Sequence, residues 1–141
     1  MGERQRQDGF TLVELLVVVV IISILAAIAI PIYLRQREKG WTAQVQSSLK
    51  NAATAIEAWA VDNGGDFTSL NGADASVLEP QGFHMPTWAS SPGYITIVAN
   101  GTRYCIQAQH SQMSTSAAWR RSTYDSAIGE PKSDPDTCPT L

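Results

Sequence analysis

A long apolar run near the start of the chain constrains its fold more than any other feature. Leu15–Leu34 contains no charge, and Ser23 is its only small polar residue. About 20 apolar residues in a helix span the ~30 Å hydrocarbon core of a bilayer. An ordinary secretory signal has a shorter apolar core that is followed by a small-residue cleavage site. The sequence therefore predicts an anchoring helix rather than a signal of that kind.

A single glutamate stands at the start of this apolar run. Glu14 lies one helical turn after Phe10, with apolar neighbours on both sides. A carboxylate at the centre of a membrane helix costs roughly 2.5–3.5 kcal/mol, and less at the helix edge, so one interpretation is a surface glutamate that reaches the interface. In the other interpretation, a cut between Gly9 and Phe10 creates an amine that pairs with this carboxylate. Losing one partner of a buried ion pair is severely destabilising, so such a pair is suited to setting register.

The segment GFTLVEL at residues 9–15, followed by the apolar run, resembles the prepilin processing site shared by type IV pilins and type II secretion pseudopilins. The resemblance implies that a prepilin peptidase cleaves after Gly9 and N-methylates Phe10. It also implies that Glu14 guides an incoming subunit onto the first-residue amine of a subunit already in a filament. On this interpretation residues 1–9 are the leader and residues 10–34 are the transmembrane and assembly helix.

A proline inside the apolar run marks a second assembly feature. Pro31 removes one helical hydrogen bond and clashes with the preceding turn, which favours a kink, although membrane helices also tolerate proline without one. Many members of the resembled family have a proline here, whereas Ser23 stands where many have glycine. We expect residues 23–31 to bend or locally unwind in the assembled filament.

The charges that flank the apolar run conflict with the expected membrane orientation. Before the run stand Arg4 and Arg6 with Glu3 and Asp8, and after it stand Arg35, Arg37 and Lys39. Counting basic residues alone would place the C-terminal domain in the cytoplasm. The processing site and the cysteines require the opposite topology. We therefore expect a single-pass protein of the cytoplasmic (inner) membrane, with its leader inside and its head outside, that later enters an extracellular filament.

Residues 35–63 keep a helical pattern but become amphipathic. The apolar members recur at steps of three and four, at Trp41, Val45, Leu49, Ala52, Ala53, Ile56, Trp59 and Ala60. Gly64 and Gly65 then provide the left-handed conformation that commonly ends a helix. The apolar stripe requires a cover, which the rest of the chain must supply.

Residues 64–141 are predicted to form that cover as a small globular head. β-rich segments at 94–99, 103–108 and 118–124 predict an antiparallel sheet, with Asn100-Gly101 as a hairpin turn and a short helix around 75–78. The proline-rich tail, residues 129–139, is expected to be irregular. The predicted fold is α+β: a long N-terminal helix packed on a small antiparallel sheet with a disulfide-tied C-terminal loop.

Cys105 and Cys138 both lie in this polar half of the chain. In an envelope-exposed domain such a pair indicates one disulfide, whereas in a cytosolic protein two free thiols would be the better interpretation. The upstream membrane segment favours the disulfide. Closing that loop would stabilise the head by roughly 3–4 kcal/mol on the loop-entropy model.

The sequence shows no pattern typical of an enzyme or of a cofactor or metal site. His84 and His110 lack a neighbouring nucleophile or metal-ligand spacing, and we expect both at the surface or in turns. The carboxylates Asp125, Glu130, Asp134 and Asp136 cluster near the C-terminus. Their spacing matches no EF-hand-like loop, so a solvated surface is favoured over a Ca²⁺ site.

Arg103, Arg120 and Arg121 are the candidates for a DNA-binding patch. Together with Trp119 they would offer cations and an aromatic ring to a nucleic acid. Alternation along a strand would place Arg120 and Arg121 on opposite faces, and the net charge of −3 argues against a general nucleic-acid binder. An ordinary solvated strand is therefore favoured, and nucleic acid remains only a candidate partner.

Taken together, the sequence predicts a structural subunit of a type IV pilus that forms a homopolymer through residues 10–34. The resemblance implies further partners: the prepilin peptidase, the pilus assembly platform and its ATPase-driven machinery. Two alternatives stay open, a pseudopilin of a type II secretion system and a minor pilin that binds DNA for uptake. Adhesion and motility belong to the assembled fibre, and the sequence does not choose between them.

Overall fold

The computed structural model describes residues 9–89, 94–113, 121–132, 138–139 and 141. Contacts along the chain separate two units, Met1–Arg37 and Glu38–Leu141. The boundary predicted from hydropathy lay three residues earlier, after Leu34. The amphipathic part of the helix thus belongs with the head.

A single helix, α1 (Leu12–Asp62), provides residues to both units. Two glycines with positive φ end it, Gly64 at 67° and Gly65 at 83°. The N–H of Gly65 donates to the carbonyl of Ala60 at 2.9 Å, which satisfies one of the last helical carbonyls. The predicted helix and its glycine stop are confirmed.

In the first unit the helix continues through Pro31. The hydroxyl of Ser23 donates to the carbonyl of Val19 at 2.8 Å, four residues earlier, so this polar group is satisfied within the helix. The expected bending of residues 23–31 concerns the assembled filament and stays a prediction.

In the head, one face of α1 forms the floor of the hydrophobic core. Its buried residues are Val45, Leu49, Ala52, Ala53, Ala55, Ile56 and Ala60. This set matches the predicted stripe, with Ala55 added, while Trp41 and Trp59 are only partly buried. Small alanines between the larger side chains allow close packing against the helix.

Four antiparallel strands form the sheet in the order β1-β2-β3-β4. They are β1 (Ile95–Ala99), β2 (Tyr104–Gln109), β3 (Arg121–Asp125) and β4 (Pro131–Lys132). Alternate side chains of β1 and β2 lie in the core, as the alternating pattern predicts, and Cys105 on β2 is an additional buried residue between two of them. The first three strands confirm the expected sheet. The prediction of an irregular tail was wrong for Pro131 and Lys132, because proline is tolerated on an edge strand that makes few ladder hydrogen bonds.

The turn between β1 and β2 lies at the predicted place but has different chemistry. Gly101 does not have a positive φ, so this is not the primed turn that an Asn-Gly pair favours. Instead, the side-chain Oδ1 of Asn100 accepts the N–H of Thr102 at 3.0 Å and that of Arg103 at 2.8 Å. The N–H of Asn100 also donates to the carbonyl of Arg103 at 2.9 Å.

Three short 3₁₀ helices, Thr68–Leu70, Ala75–Gln81 and Thr87–Ala89, occupy the segment between α1 and the sheet. The second of them contains the short helix expected around 75–78. The side chain of Asp74 accepts the N–H of Ser76 at 3.0 Å and so caps this helix. Leu70, Leu78 and Phe83 from this segment complete the core. The head is α+β, as predicted.

Candidate functional site

The start of α1 is held by a reciprocal pair of side-chain and backbone hydrogen bonds. The N–H of Thr11 donates to Glu14 Oε2 at 2.9 Å, and the Thr11 hydroxyl donates to the same oxygen at 2.7 Å. In return, the N–H of Glu14 reaches the Thr11 hydroxyl oxygen at 3.2 Å. This is a capping box, in which residues three apart satisfy donors at a helix N-terminus. The T-x-x-E spacing at residues 11–14 is the sequence signal for this cap, and it was not among the features used to predict the start of the helix.

The proposed cut site lies just before this cap. Gly9 and Phe10 are outside the helix, and both are exposed, Phe10 to 93%. A Cβ placed on Gly9 would meet nothing within 4 Å, and the backbone there does not require glycine. A larger residue at Gly9 is therefore compatible with the chain itself. Any requirement for glycine must come from a partner that handles this peptide bond.

The first unit exposes apolar side chains on every face of the helix. Between Leu12 and Leu34 the large hydrophobic residues are 45–82% exposed. The helix is long and apolar enough to cross a membrane. A helix that is apolar all round is stable only inside lipid or in a packed protein core. This surface therefore needs lipid or packed protein around it.

The predicted disulfide is present. Cys105 on β2 and Cys138 in the C-terminal tail are bonded, with their Cα atoms 5.7 Å apart. Cys105 is almost completely buried, at 1% exposure. The bond ties the tail to the second strand of the sheet.

His110 opens a turn, as one of the two expectations had it, with the N–H of Met113 donating to its carbonyl at 3.0 Å, but it is buried rather than at the surface. Its ring stacks between those of Trp41, at 5.4 Å, and Trp88, at 5.1 Å. Nδ1 accepts the N–H of Gln112 at 3.1 Å, so the proton of the neutral ring is on Nε2, which donates to Gln44 Oε1 at 3.2 Å. Burial lowers the pKa of His110 because the charged imidazolium would lose its hydration.

The other histidine, His84, is exposed, as expected. Sequence reasoning missed the burial of His110 because the two tryptophans are 69 and 22 residues away along the chain. No local pattern marks such a stack.

The structure does not bring together the two described arginines of the proposed DNA patch. Arg103 lies just before β2, where its guanidinium contacts both carboxylate oxygens of Asp125 at 3.2 Å. Arg121 is paired with Gln109 at the other end of β2. Six residues at ~3.3 Å each place the two backbones about 20 Å apart. Arg120 lies outside the described residues.

The structure describes only some of the carboxylates that were considered as a calcium site. Asp125 accepts the N–H of Ala127 at 2.8 Å, in addition to its ion pair with Arg103. Asp134 and Asp136 lie outside the described residues. Within the part of the chain that the structure describes, no three His, Cys, Asp or Glu side chains are grouped to hold a metal ion.

Comparisons with known proteins point to one family. Residues 4–30 match the model of the prokaryotic N-terminal methylation motif. The chain is 32% identical to the type IV wide pilus major component PilA4 of Thermus thermophilus, over 93% of this chain and 96% of that protein. It is 48% identical to the type IV major alpha-pilin of Moraxella bovis, over 37% of this chain and 33% of that one.

Secretion proteins are among the relatives as well. The type II secretion system core protein G of Pseudomonas aeruginosa is 32% identical, over 66% of each chain. The alignment thus spans just under two thirds of that relative's length. No solved structure gives a significant match. Because the pilus component aligns along nearly the whole chain, and the matched motif covers the predicted cut site and most of the apolar run, this protein belongs to the type IV pilin family.

Proposed function

We propose that this chain is a structural subunit of a type IV pilus and polymerises through residues 10–34. The observation that carries the proposal is the exposed apolar helix of the first unit, which requires lipid before assembly and neighbouring helices after it. The likeness to a pilus component over 96% of that protein's length supports the same role for the head. The role is structural and involves no catalysis, metal or cofactor.

A prepilin peptidase cleaves the chain after Gly9 and N-methylates Phe10. The match to the methylation motif and the exposure of both residues support this step. Before assembly the chain spans the cytoplasmic membrane once, with the leader inside and the head outside. The assembly platform and its ATPase then move it into an extracellular filament.

Glu14 guides docking by accepting the first-residue amine of a subunit already in the filament. Both hydrogen bonds from Thr11 end on Oε2, and Oε1 has no partner among the described residues. One oxygen therefore holds the helix cap while the other is available for the amine. The amine exists only after the cut, so cleavage and docking follow in a fixed order.

Two substitutions test processing and docking separately. Gly9→Val should leave uncleaved precursor in the membrane. The valine side chain meets no steric conflict within the chain itself, so the loss of cleavage would come from the peptidase site. Mass spectrometry of the membrane-bound protein measures this directly. A mature mass for that variant would show that the site is elsewhere.

Glu14→Gln should be cleaved normally but assemble poorly, because the amide keeps the shape and loses the charge. Glu79→Gln, an exposed acid on the head, is the matched control and should assemble like the parent. Filaments sheared from cells are quantified for each variant. Parental filament yield from Glu14→Gln would remove the docking role.

A pseudopilin role is the second candidate, favoured by 32–33% identity to core protein G from two organisms. In that role the filament would stay short and serve protein export. If the chain has that role, deleting its gene abolishes export of secreted enzymes and leaves surface pili intact. Loss of surface pili with normal export supports the pilus role.

A further inference from the structure

Three asparagines in the second unit are each followed directly by glycine. They are Asn63, Asn71 and Asn100. Asparagine is a thermolabile residue, because the next backbone nitrogen can attack the side-chain amide carbon and expel ammonia. Glycine favours this attack, since it has no side chain to shield its nitrogen. The sequence makes the three pairs equivalent, so any difference between them comes from the folded structure.

The pair at Asn71 is held against this reaction by the sheet. The N–H of Gly72, which would be the attacking group, donates to the carbonyl of Ile97 at 2.8 Å. The Asn71 Oδ1 accepts one N–H, that of Ala99, at 3.1 Å. Both bonds join this segment to β1, so attack by the Gly72 nitrogen would break a backbone hydrogen bond of the folded head.

The pair at Asn63 has its side chain turned the other way. The Nδ2 of Asn63 donates to the carbonyl of Trp59 at 2.9 Å, one turn earlier in α1. The amide therefore folds back along the helix and away from the nitrogen of Gly64. Among the described residues no N–H donates to the Asn63 Oδ1, so its carbonyl is not polarised by the protein.

The pair at Asn100 combines the features that the other two lack. The Asn100 Oδ1 accepts the N–H of Thr102 at 3.0 Å and that of Arg103 at 2.8 Å, so the side chain reaches forward over the next peptide. The N–H of Gly101 has no partner among the described residues. Gly101 is also exposed, and its N–H is therefore open to base from the solvent. The attacking nitrogen is free, and the amide is held beside it.

The two hydrogen bonds on one carbonyl oxygen also favour the reaction electrostatically. When the nitrogen of Gly101 adds to the amide carbon of Asn100, negative charge develops on Oδ1. Hydrogen bonds to an ionised acceptor are roughly twice as strong as those between neutral groups, so both bonds strengthen in the transition state. Only an interaction that is stronger in the transition state than in the ground state accelerates a reaction.

We propose that Asn100-Gly101 is a self-modification site, at which the folded head converts an asparagine into aspartate or isoaspartate. Base removes the proton from the nitrogen of Gly101, which then bonds to the side-chain carbon of Asn100. The bond from that carbon to Nδ2 breaks, and Nδ2 takes a proton from water and leaves as ammonia. Water then opens the five-membered imide at either carbonyl. The net change is the addition of one water and the loss of one ammonia, without an oxidant or an enzyme.

The modification adds one negative charge at the turn between β1 and β2. An aspartate at position 100 keeps the cap of the turn, because a carboxylate oxygen can still accept the N–H groups of Thr102 and Arg103. An isoaspartate lengthens the backbone of the turn by one carbon atom and leaves its carboxylate on Cα. The side-chain acceptor is then lost from the turn, so the two products differ in their effect on the head.

The test compares the three pairs within one molecule. The mature full-length chain in detergent micelles is held at mildly alkaline pH and sampled over time, both folded and in concentrated urea. Tandem mass spectrometry measures the modified fraction at Asn63, Asn71 and Asn100. In urea the three rates should be similar, because each asparagine precedes glycine. In the folded chain Asn100 should react no more slowly than in urea, and at least about tenfold faster than the other two, as expected for two hydrogen bonds that strengthen in the transition state.

The variant Gly101→Ala should slow the reaction at Asn100, because a methyl group then shields the attacking nitrogen. The turn itself accepts this change, since the added Cβ would lie at ordinary contact distances, 3.7 Å from Asp66 Oδ1 and 3.8 Å from Thr68 Oγ1. Gly40→Ala, which adds a methyl group in α1 where nothing lies within 4 Å, is the matched control and should react like the parent. Asn100→Asp should focus at the same isoelectric point as the modified parent, because both carry the same charge.

Three results would overturn the proposal. One is a slower reaction at Asn100 in the folded chain than in urea, which would show that the turn protects the amide. Another is a reaction at Asn63 or Asn71 in the folded chain that is as fast as at Asn100. The third is aspartate without isoaspartate at position 100, since the imide opens at both carbonyls. None of these measurements uses filaments, so their outcome is independent of the proposed pilus role.

Discussion

Removing the disulfide should destabilise the head by an amount that follows from its place in the chain. The change is Cys105→Ala together with Cys138→Ala, so that no free thiol is left. The cysteines are 33 residues apart. On the loop-entropy model, a closed loop of about 34 residues stabilises the folded state by about 3.8 kcal/mol at 25 °C. Domains of this size have free energies of unfolding of roughly 5–15 kcal/mol, so the expected loss is a large fraction.

The assay is urea unfolding of the mature chain in detergent micelles, followed by tryptophan fluorescence. Trp41, Trp59 and Trp88 are partly buried in the head and report on its packing. The double variant should lose about 3–4 kcal/mol, which corresponds to a fall in Tm of about 15–30 °C for a domain of ~100 residues. The parent protein under reducing conditions should unfold like the double variant, which controls for effects of the alanines themselves.

Detachment of the C-terminal tail in the double variant would reduce the expected loss of stability. β4 pairs with β3 at only two positions, Thr123 with Lys132 and Tyr124 with Pro131. If the tail detached in the variant, the native state would also gain chain entropy, and the difference from the parent would shrink. A loss below about 1 kcal/mol with an unchanged m-value would therefore refute the assumption that the tail stays docked without its cross-link.

Three further predictions concern single residues of the head. Burial holds the pKa of His110 below its unfolded value of ~6.5, so its contribution to stability is complete above that pH. This contribution is lost as the pH falls from ~6.5 towards the pKa of His110 in the folded state. The urea midpoint should therefore fall with pH over this range for the parent and for His84→Gln. It should not show this fall for His110→Gln. Leu49→Ala should cost about 2–5 kcal/mol in the same assay, because Leu49 is 0% exposed, and a cost below 1 kcal/mol would contradict its place in the core. Asn100→Ala should cost about 0.5–1.5 kcal/mol, because two exposed backbone N–H groups exchange their side-chain acceptor for water, whereas Asn100→Asp should retain most of the stability.

The elements that the sequence predicted correctly are those specified by local patterns. Apolar residues at steps of three and four marked the buried face of α1, and Gly64 and Gly65 marked its end. Alternating β-rich segments marked β1 and β2 because each side chain's face follows from its position in the strand. The disulfide between Cys105 and Cys138 could be predicted from the sequence because the chain has only two cysteines.

Apart from the local cap formed by Thr11 and Glu14, the features that sequence reasoning missed depend on contacts between distant segments. The stack of Trp41, His110 and Trp88 joins three separate segments of the chain, and nothing local to His110 marks it as buried. Likewise, Arg103 is neutralised by Asp125 only because β2 and β3 lie antiparallel. The distance between Arg103 and Arg121 follows from that register and not from their sequence spacing.

The capping box changes the physical meaning of Glu14. From the sequence, its charge had no partner until cleavage supplied an amine. In the structure, Thr11 already donates two hydrogen bonds to one carboxylate oxygen. The cost of placing this charge beside the apolar run is therefore partly offset before assembly, since hydrogen bonds to the ionised form favour it. The docking role proposed for Glu14 requires only that the second oxygen acquire a donor, so assembly would add a partner to Glu14 without dismantling the helix cap.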